Sequence, residues 1–97
     1  MWYFIYYGLM YYVYMIQNSA NKLYVGVTKN LEKRLCYHNT NQGAQFTKSR
    51  SKFSVVFYES YKTLAEARKR EIQIKKWRRD KKEVLIQKFQ KGLSTKL

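Results

Sequence analysis

The sequence predicts a small α/β domain of the α+β type, with the element order β-β-α-β-α-α. Segments rich in β-branched and aromatic residues dominate the first half, and apolar residues at helical spacing follow in the second half. With 97 residues, the chain is long enough for one domain with one modest core. We expect a three-stranded, largely antiparallel sheet flanked by helices.

The strands are predicted from their β-branched and aromatic composition at residues 11–17 (YYVYMIQ), 22–28 (KLYVGVT) and 53–60 (FSVVFYES). The residues between the first two segments, Asn-Ser-Ala-Asn, are typical of turns, which predicts a β-hairpin. Both faces of this hairpin carry apolar residues, so we expect much of each face to be covered.

The first helix should begin after Asn30, a favourable N-cap residue, because Leu31, Leu35 and His38 follow at positions i, i+4 and i+7. The sole cysteine, Cys36, lies in this helix and is interpreted as a small core residue. A polar, glycine-containing loop separates this helix from the third strand.

Two further helices are predicted from start signals of the capping-box type. Thr63 and Glu66 have the spacing of a capping box before the segment LAEARKREIQIKKWRR. Asp80 and Glu83 repeat the signal before the last helix.

The chain divides into three predicted parts: an apolar N-terminal extension at residues 1–9, a domain at 10–91 and a C-terminal tail at 92–97. Residues 1–16 carry no charge and are strongly apolar, but they are too short for a stable membrane span. An interfacial, membrane-associated tail is a third functional interpretation of this segment.

The formal net charge of +14, from 20 basic and 6 acidic residues, predicts an anionic partner. Nucleic acid and an acidic membrane surface are the usual candidates, and a solvated basic surface is the alternative. One cysteine excludes an intrachain disulfide and agrees with a reducing, cytoplasmic location.

Glu71 is the acidic residue that neither a helix start nor a strand end explains, and it shares a helical stripe with Leu64, Ala67 and Ile74. A carboxylate on an apolar stripe requires a partner. Either the carboxylate forms an ion pair with Arg68, Arg70 or Lys75, or it serves as a metal ligand or an acid/base group in a cleft. Six acidic residues can hardly form a two-metal site, whereas one Mg²⁺ held by one carboxylate, waters and a phosphate is feasible.

Arg34 and His38 are four residues apart on one side of the first helix, where they are either a surface arginine and a half-buried histidine or part of a phosphate site. Tyr14 and Tyr24 lie on adjacent strands, so their hydroxyl groups could converge. Gly26 in a strand interior indicates the close approach of a ligand or of another backbone segment.

Taken together, these positions resemble the GIY-YIG nuclease family. Residues 12–14 (YVY) and 24–26 (YVG) resemble the two halves of its motif. Arg34 and His38 stand where the family has its arginine and histidine, and Glu71 resembles its metal-binding glutamate. The loop GAQFTKSR and the strand VVFYES are similar to small stand-alone bacterial members.

The resemblance implies a metal-dependent endonuclease that hydrolyses DNA phosphodiester bonds, in DNA repair or recombination. Glu71 would hold one Mg²⁺ or Mn²⁺ ion, Tyr14 would act near the attacking water as base or positioner, and Arg34 would neutralise charge on the phosphorane. Tyr24 and His38 would orient the phosphate and assist proton transfer.

Sequence-tolerant contacts with the DNA backbone are predicted for Lys48, Arg50, Lys75, Lys81 and Lys82. RNA remains open as a ligand, and specificity is expected to come either from DNA shape or from a protein partner. Many family members carry an asparagine beyond the glutamate, whereas this chain has none after Asn41. The second interpretation is therefore a non-catalytic nucleic-acid-binding domain that acts with a partner.

Overall fold

The computed structural model describes residues 10–41 and 52–96. It contains the six predicted elements in the predicted order. They are β1 (Tyr11–Gln17), β2 (Leu23–Thr28), α1 (Leu31–Asn41), β3 (Ser54–Tyr61), α2 (Leu64–Lys75) and α3 (Arg79–Gln90).

The strands form the predicted three-stranded antiparallel sheet, and their order in it is β2-β1-β3. The β1–β2 hairpin is closed by Asn18, whose Oδ1 accepts hydrogen bonds from the backbone N–H groups of Ala20 and Lys22. Asn21 adopts a left-handed φ of 64°, a conformation that asparagine tolerates well. Local turn chemistry therefore aligns the two strands that carry the motif tyrosines.

Helices cover both faces of the central strand β1. On one face the buried core joins the sheet to α2 and α3, through Val13, Met15, Phe57, Ala67, Ile74, Leu85 and Ile86. On the other face Tyr14, Ile16 and Phe53 pack with Leu31 and Leu35 of α1 and with Val55. Tyr14 therefore lies between the sheet and α1, on the face opposite to the main core.

Two of the predicted helix starts are confirmed. Asn30 Oδ1 accepts the backbone N–H of Lys33 at 3.0 Å. Thr63 Oγ1 accepts the N–H of Glu66 at 3.2 Å, which caps α2. These bonds satisfy backbone donors that the first helical turn leaves free.

The predicted cap of the last helix is wrong. The N-cap of α3 is Arg78, which makes no side-chain capping bond. Asp80 lies inside the first turn, where Oδ1 accepts the N–H of Lys81 at 2.9 Å and the helix dipole favours its charge. Arg78 has an extended backbone, and α3 begins directly after it at Arg79, earlier than the Asp80 signal predicted.

Cys36 is exposed, so its interpretation as a core residue is also wrong. The core-facing side of α1 is formed by Leu31 and Leu35 instead. Within residues 10–41 and 52–96, no helix is long and apolar enough to cross a membrane. The predicted extension at residues 1–9 lies outside the described residues.

Candidate active site

The site is centred on Tyr14, a buried residue of β1 that lies opposite Gly26 of β2 in the sheet register. A Cβ atom placed on Gly26 would come within 2.6 Å of the Tyr14 hydroxyl oxygen and 2.8 Å of Cζ. The ring of Tyr14 therefore lies across the backbone of Gly26. The close approach at Gly26 is thus made by the side chain of Tyr14, whereas the sequence indicated a ligand or another backbone segment.

His38 from α1 meets the phenol of Tyr14. The Tyr14 hydroxyl and His38 Nε2 are hydrogen-bonded at 3.3 Å. The other ring nitrogen, Nδ1, is buried and has no hydrogen-bond partner within the part of the chain that the structure describes. Because a neutral imidazole has one donor and one acceptor, this bond couples the proton positions of Tyr14 and His38.

Tyr24 and Phe53 pack around the imidazole. The ring centroid of His38 is 5.8 Å from that of Tyr24 and 6.2 Å from that of Phe53. The rings of Tyr24 and Phe53 are themselves 5.3 Å apart in an edge-to-face arrangement. Tyr24 is 39% exposed, so part of this residue is open to solvent while its ring packs against the histidine.

Arg34 lies one helical turn before His38, with its guanidinium 5.5 Å from the ring centroid of Tyr37. Tyr37 in turn packs edge-on against His38 at 5.9 Å. The i, i+3, i+4 spacing of these three residues places them side by side on α1. Arg34 is exposed, so its charge is available to an anion.

The electrostatics join these groups into one site. Burial raises the pKa of Tyr14, the charge of Arg34 opposes this rise and the charge of Glu71 adds to it. Burial, and then the charge of Arg34, lowers the pKa of His38. Tyr14 is thus a neutral phenol and His38 favours the neutral imidazole. The shift of the Tyr14 pKa is opposite to the one that a phenolate base requires.

Glu71 of α2 is buried, in agreement with its position on the apolar stripe. Lys75 Nζ lies 2.9 Å from Oε2, and Arg68 Nη1 lies 3.4 Å from Oε1. Both cationic side chains are more than half exposed, at 54% and 60%. The carboxylate is therefore held in the protein, whereas the cations that pair with it are free to exchange with solvent.

The sequence offered Arg70 as a third partner of Glu71, but Arg70 pairs with the buried Glu59. Its Nε and Nη2 donate to the two carboxylate oxygens of Glu59 at 2.9 and 3.1 Å. Tyr61 donates to Glu59 at 2.8 Å, and the Thr95 carbonyl accepts from Arg70 at 3.0 Å. This network ties β3 and α2 to the C-terminal segment.

The residues that are predicted to contact DNA differ in their surroundings. Lys75 pairs with Glu71, and Lys81 lies over the ring of Trp77 with Nζ 4.4 Å from the centroid. Lys82 is half-buried on α3. The loop that carries Lys48 and Arg50 lies outside the described residues.

Tyr14, Tyr24 and His38 are therefore in direct contact through hydrogen bonding or ring packing. Arg34 and Glu71 act on the phenol through their charges. The sequence reasoning missed Tyr37 and Phe53. Tyr37 could have been found from its spacing of three residues after Arg34, whereas no local signal distinguishes Phe53 from an ordinary core residue.

Comparisons with known proteins show which family this chain resembles. A family model described as the GIY-YIG catalytic domain matches residues 10–84. A UPF0213 protein of Staphylococcus saprophyticus is 43% identical over 75 residues, covering 77% of this chain and 92% of that protein. A UPF0213 protein of Bacillus pumilus is 36% identical over 76 residues, or 78% of each chain.

A solved structure is also similar. The solution NMR structure of a UPF0213 protein from Bacillus halodurans matches with a TM-score of 0.53 and 29% identity, covering 80% of this chain and 83% of that one. The matched family segment spans every described residue of the site, from Tyr14 to Glu71. The chain therefore belongs to the GIY-YIG family, which is a nuclease superfamily.

Proposed function

We propose that this protein is a metal-dependent DNA endonuclease that hydrolyses phosphodiester bonds at a single-metal site, in DNA repair or recombination. The observation that carries the proposal is the hydrogen-bonded Tyr14–His38 pair, on which the charges of Arg34 and Glu71 both act. A phosphate bound beside this pair would face a cation, two neutral proton-transfer groups and a carboxylate.

The donor set fits one hard cation. Glu71 presents a buried carboxylate whose oxygens already attract two exchangeable cationic side chains. Among the described residues, no cluster of three or more histidine, cysteine, aspartate or glutamate side chains could hold a metal ion. A single carboxylate donor such as Glu71 suits Mg²⁺ or Mn²⁺, because these ions keep several waters and take one carboxylate plus a substrate phosphate. When bound, such an ion polarises a phosphoryl oxygen and makes its water more acidic.

Arg34 is assigned to the charge that develops on the phosphate. Its guanidinium is exposed and stacked on Tyr37, which reduces its freedom to leave the site. A guanidinium matches two phosphate oxygens with parallel N–H donors. Its contribution is therefore to stabilise the transition state electrostatically.

Tyr14 is assigned to positioning, because its raised pKa keeps the hydroxyl protonated. A neutral phenol can donate to a phosphate or water oxygen, or accept from the water. His38, with its lowered pKa, is available to take a proton through the same hydrogen bond. Tyr24 would orient the phosphate from the exposed side of the imidazole.

DNA binding is assigned to the cationic surface of α2 and α3, including Lys75, Lys81 and Lys82, together with Lys48 and Arg50 of the loop. These contacts would be made with the backbone and would tolerate many sequences. Affinity should fall steeply between about 50 and 200 mM salt, since phosphate contacts release counterions. We further infer a cytoplasmic location. We also infer a protein partner that selects the target. RNA is tested as a ligand that competes with DNA for binding.

A second candidate is a GIY-YIG domain that binds nucleic acid without cutting it. It is favoured by one observation: both oxygens of Glu71 already pair with cationic side chains of the same helix. In such a protein Lys75 and Arg68 would remain on the carboxylate, and the domain would act with a partner.

The test is cleavage of end-labelled single-stranded, duplex, flapped and branched DNA with Mg²⁺, Mn²⁺ or chelator. Wild type is compared with Glu71→Gln, which preserves the shape of the side chain and removes its charge. Glu66→Gln is the matched control, since Glu66 is an exposed residue at the start of α2. Metal-dependent cutting that only Glu71→Gln loses supports the enzyme, whereas binding without cutting by every protein supports the second candidate.

A further inference from the structure

The side-chain amide of Asn39 forms two hydrogen bonds with the backbone of one residue, Phe53. Asn39 Oδ1 accepts from the Phe53 N–H at 2.8 Å, and Asn39 Nδ2 donates to the Phe53 carbonyl at 3.2 Å. An amide that engages both backbone groups of one residue imitates a neighbouring strand. Because Ser54 begins β3, this pairing joins the end of α1 to the start of the edge strand.

The ring of Phe53 points into the candidate active site. Its side chain is almost completely buried, at 4% exposure, and its ring lies against Tyr24 and His38. Phe53 thus forms one wall of the imidazole site, and the position of that wall depends on the backbone that Asn39 holds. Asn39 directly follows His38 in the sequence. The same helical turn therefore carries both the histidine and the side chain that holds Phe53 against it.

We propose that Asn39 is a positioning residue, which acts through Phe53 to keep the imidazole of His38 directed at the Tyr14 hydroxyl. The proposal rests on the proposed function, in which His38 and Tyr14 contact the substrate. A catalytic side chain needs neighbours whose own orientation is locked by packing and hydrogen bonds. A displacement of about 1 Å in such a group can reduce the rate about a hundredfold.

Among the described residues, the groups around His38 are Tyr14 from β1, Tyr24 from β2, Arg34 and Tyr37 from α1, and Phe53 before β3. Arg34 is the charged one among them, and together with burial it lowers the histidine pKa. Loss of the Phe53 wall would admit water and weaken the burial effect. The His38 pKa should then rise toward its ordinary value of 6.5.

This effect can be observed directly, because His38 is the sole histidine of the chain. In protein freed of any histidine tag, the imidazole C–H proton resonance is followed by NMR from about pH 5 to pH 8, a range that brackets the ordinary histidine pKa. Asn39→Ala removes both hydrogen bonds to Phe53. Phe53→Leu keeps those backbone bonds and removes the aromatic wall.

Asn30→Ala is the matched control. It is the same substitution in the same helix and also removes a side-chain bond to the backbone, the N-cap bond to Lys33. A merely structural loss would therefore affect Asn30→Ala as well. We expect the midpoint of the His38 titration to rise in Asn39→Ala and Phe53→Leu and to stay at the wild-type value in Asn30→Ala.

Cleavage provides the second measurement. Asn39→Ala should lower kcat about tenfold or more with little change in KM, because the lost contact orients the site rather than binding DNA. The acid side of its pH–rate profile should move with the NMR midpoint.

A wild-type titration curve in Asn39→Ala would overturn the proposal. If Asn39→Ala fails to fold, Phe53→Leu decides, and an unchanged midpoint in that variant likewise overturns it. The titration needs no cleavage, so wild-type protein that cuts no DNA would refute the proposed function while the histidine measurement still gives its own answer.

Discussion

The phenol ring of Tyr14 lies directly over the backbone of Gly26, its partner across the β1–β2 pair. The space that a side chain would take at Gly26 is filled by the tyrosine hydroxyl, which reaches His38 at 3.3 Å. The glycine of the second half-motif and the tyrosine of the first half-motif are therefore complementary in shape. Neither residue can change without affecting the other.

Gly26→Ala should disable the site through Tyr14. The added methyl group would displace a ring that is buried, so the hydroxyl would leave its hydrogen bond with His38. We expect cleavage to fall about a hundredfold and the free energy of unfolding to fall by about 1–3 kcal/mol. Single-turnover cleavage and urea denaturation measure the two effects.

A double-mutant cycle with Tyr14→Phe is the control for this prediction. Once the hydroxyl has been removed, Gly26→Ala should add little further loss of rate, because it acts on the same group. If the rate losses of the two single variants multiply in the double variant, Gly26 affects catalysis by a route other than the Tyr14 hydroxyl.

Arg34→Ala should lower the cleavage rate about a hundredfold, or by about 3 kcal/mol of transition-state stabilisation. Arg34→Lys should recover part of this loss, since lysine keeps the charge but lacks the planar pair of donors. Lys33→Ala removes a neighbouring exposed charge from the same helix and serves as the control. Equal losses in Lys33→Ala and Arg34→Ala would indicate a general effect of charge on DNA binding.

Lys75→Met should strengthen the binding of Mn²⁺ in the absence of DNA, measured by calorimetry. The ammonium of Lys75 lies 2.9 Å from Glu71 Oε2 and competes with a metal ion for that oxygen. Because Lys75 is 54% exposed, the competing ion pair is worth only about 0.2–1 kcal/mol, which corresponds to at most about a fivefold change in Kd.

Lys76→Met removes the same charge one residue later and should leave the Mn²⁺ affinity unchanged. Weaker Mn²⁺ binding by Lys75→Met than by Lys76→Met would contradict competition at Glu71. Lys75→Met should also weaken DNA binding if Lys75 contacts a phosphate, so the metal and DNA measurements are made separately.

Glu59→Gln should destabilise the fold at neutral pH and have little effect at low pH. Burial alone would raise the pKa of Glu59, but the hydrogen bonds from Arg70 and Tyr61 outweigh burial and hold the pKa below its ordinary value of 4.5. A lowered pKa means that the ionised carboxylate stabilises the fold above about pH 4.5. This stabilisation is lost as the pH falls through the folded-state pKa.

Breaking such a buried pair costs about 3–5 kcal/mol. Denaturant curves of wild type and Glu59→Gln should therefore differ at pH 7 and converge in acid. Glu66→Gln changes an exposed carboxylate and is the comparison variant. A difference between wild type and Glu59→Gln that persists unchanged in acid would rule out the ionised pair as its origin.

Much of the fold could be predicted because its signals are local. The hairpin follows from Asn18 and its turn, and two helix starts follow from Asn30 and Thr63, whose side chains bond to backbone groups only a few residues away. The prediction failed for Asp80, because the N-cap of α3 is Arg78, two residues earlier, and it makes no side-chain capping bond.

The sequence by itself determined the element order, the cationic character and the residue types of the site, since these depend on composition and on spacing along one element. Only the tertiary structure decided which groups meet. In the folded chain Tyr14 is hydrogen-bonded to His38. Arg70 pairs with Glu59, while Lys75 pairs with Glu71. The side chain of Asn39 is hydrogen-bonded to the backbone of Phe53. The physical reason is that such contacts depend on strand register and on how α1 and α2 pack against the sheet.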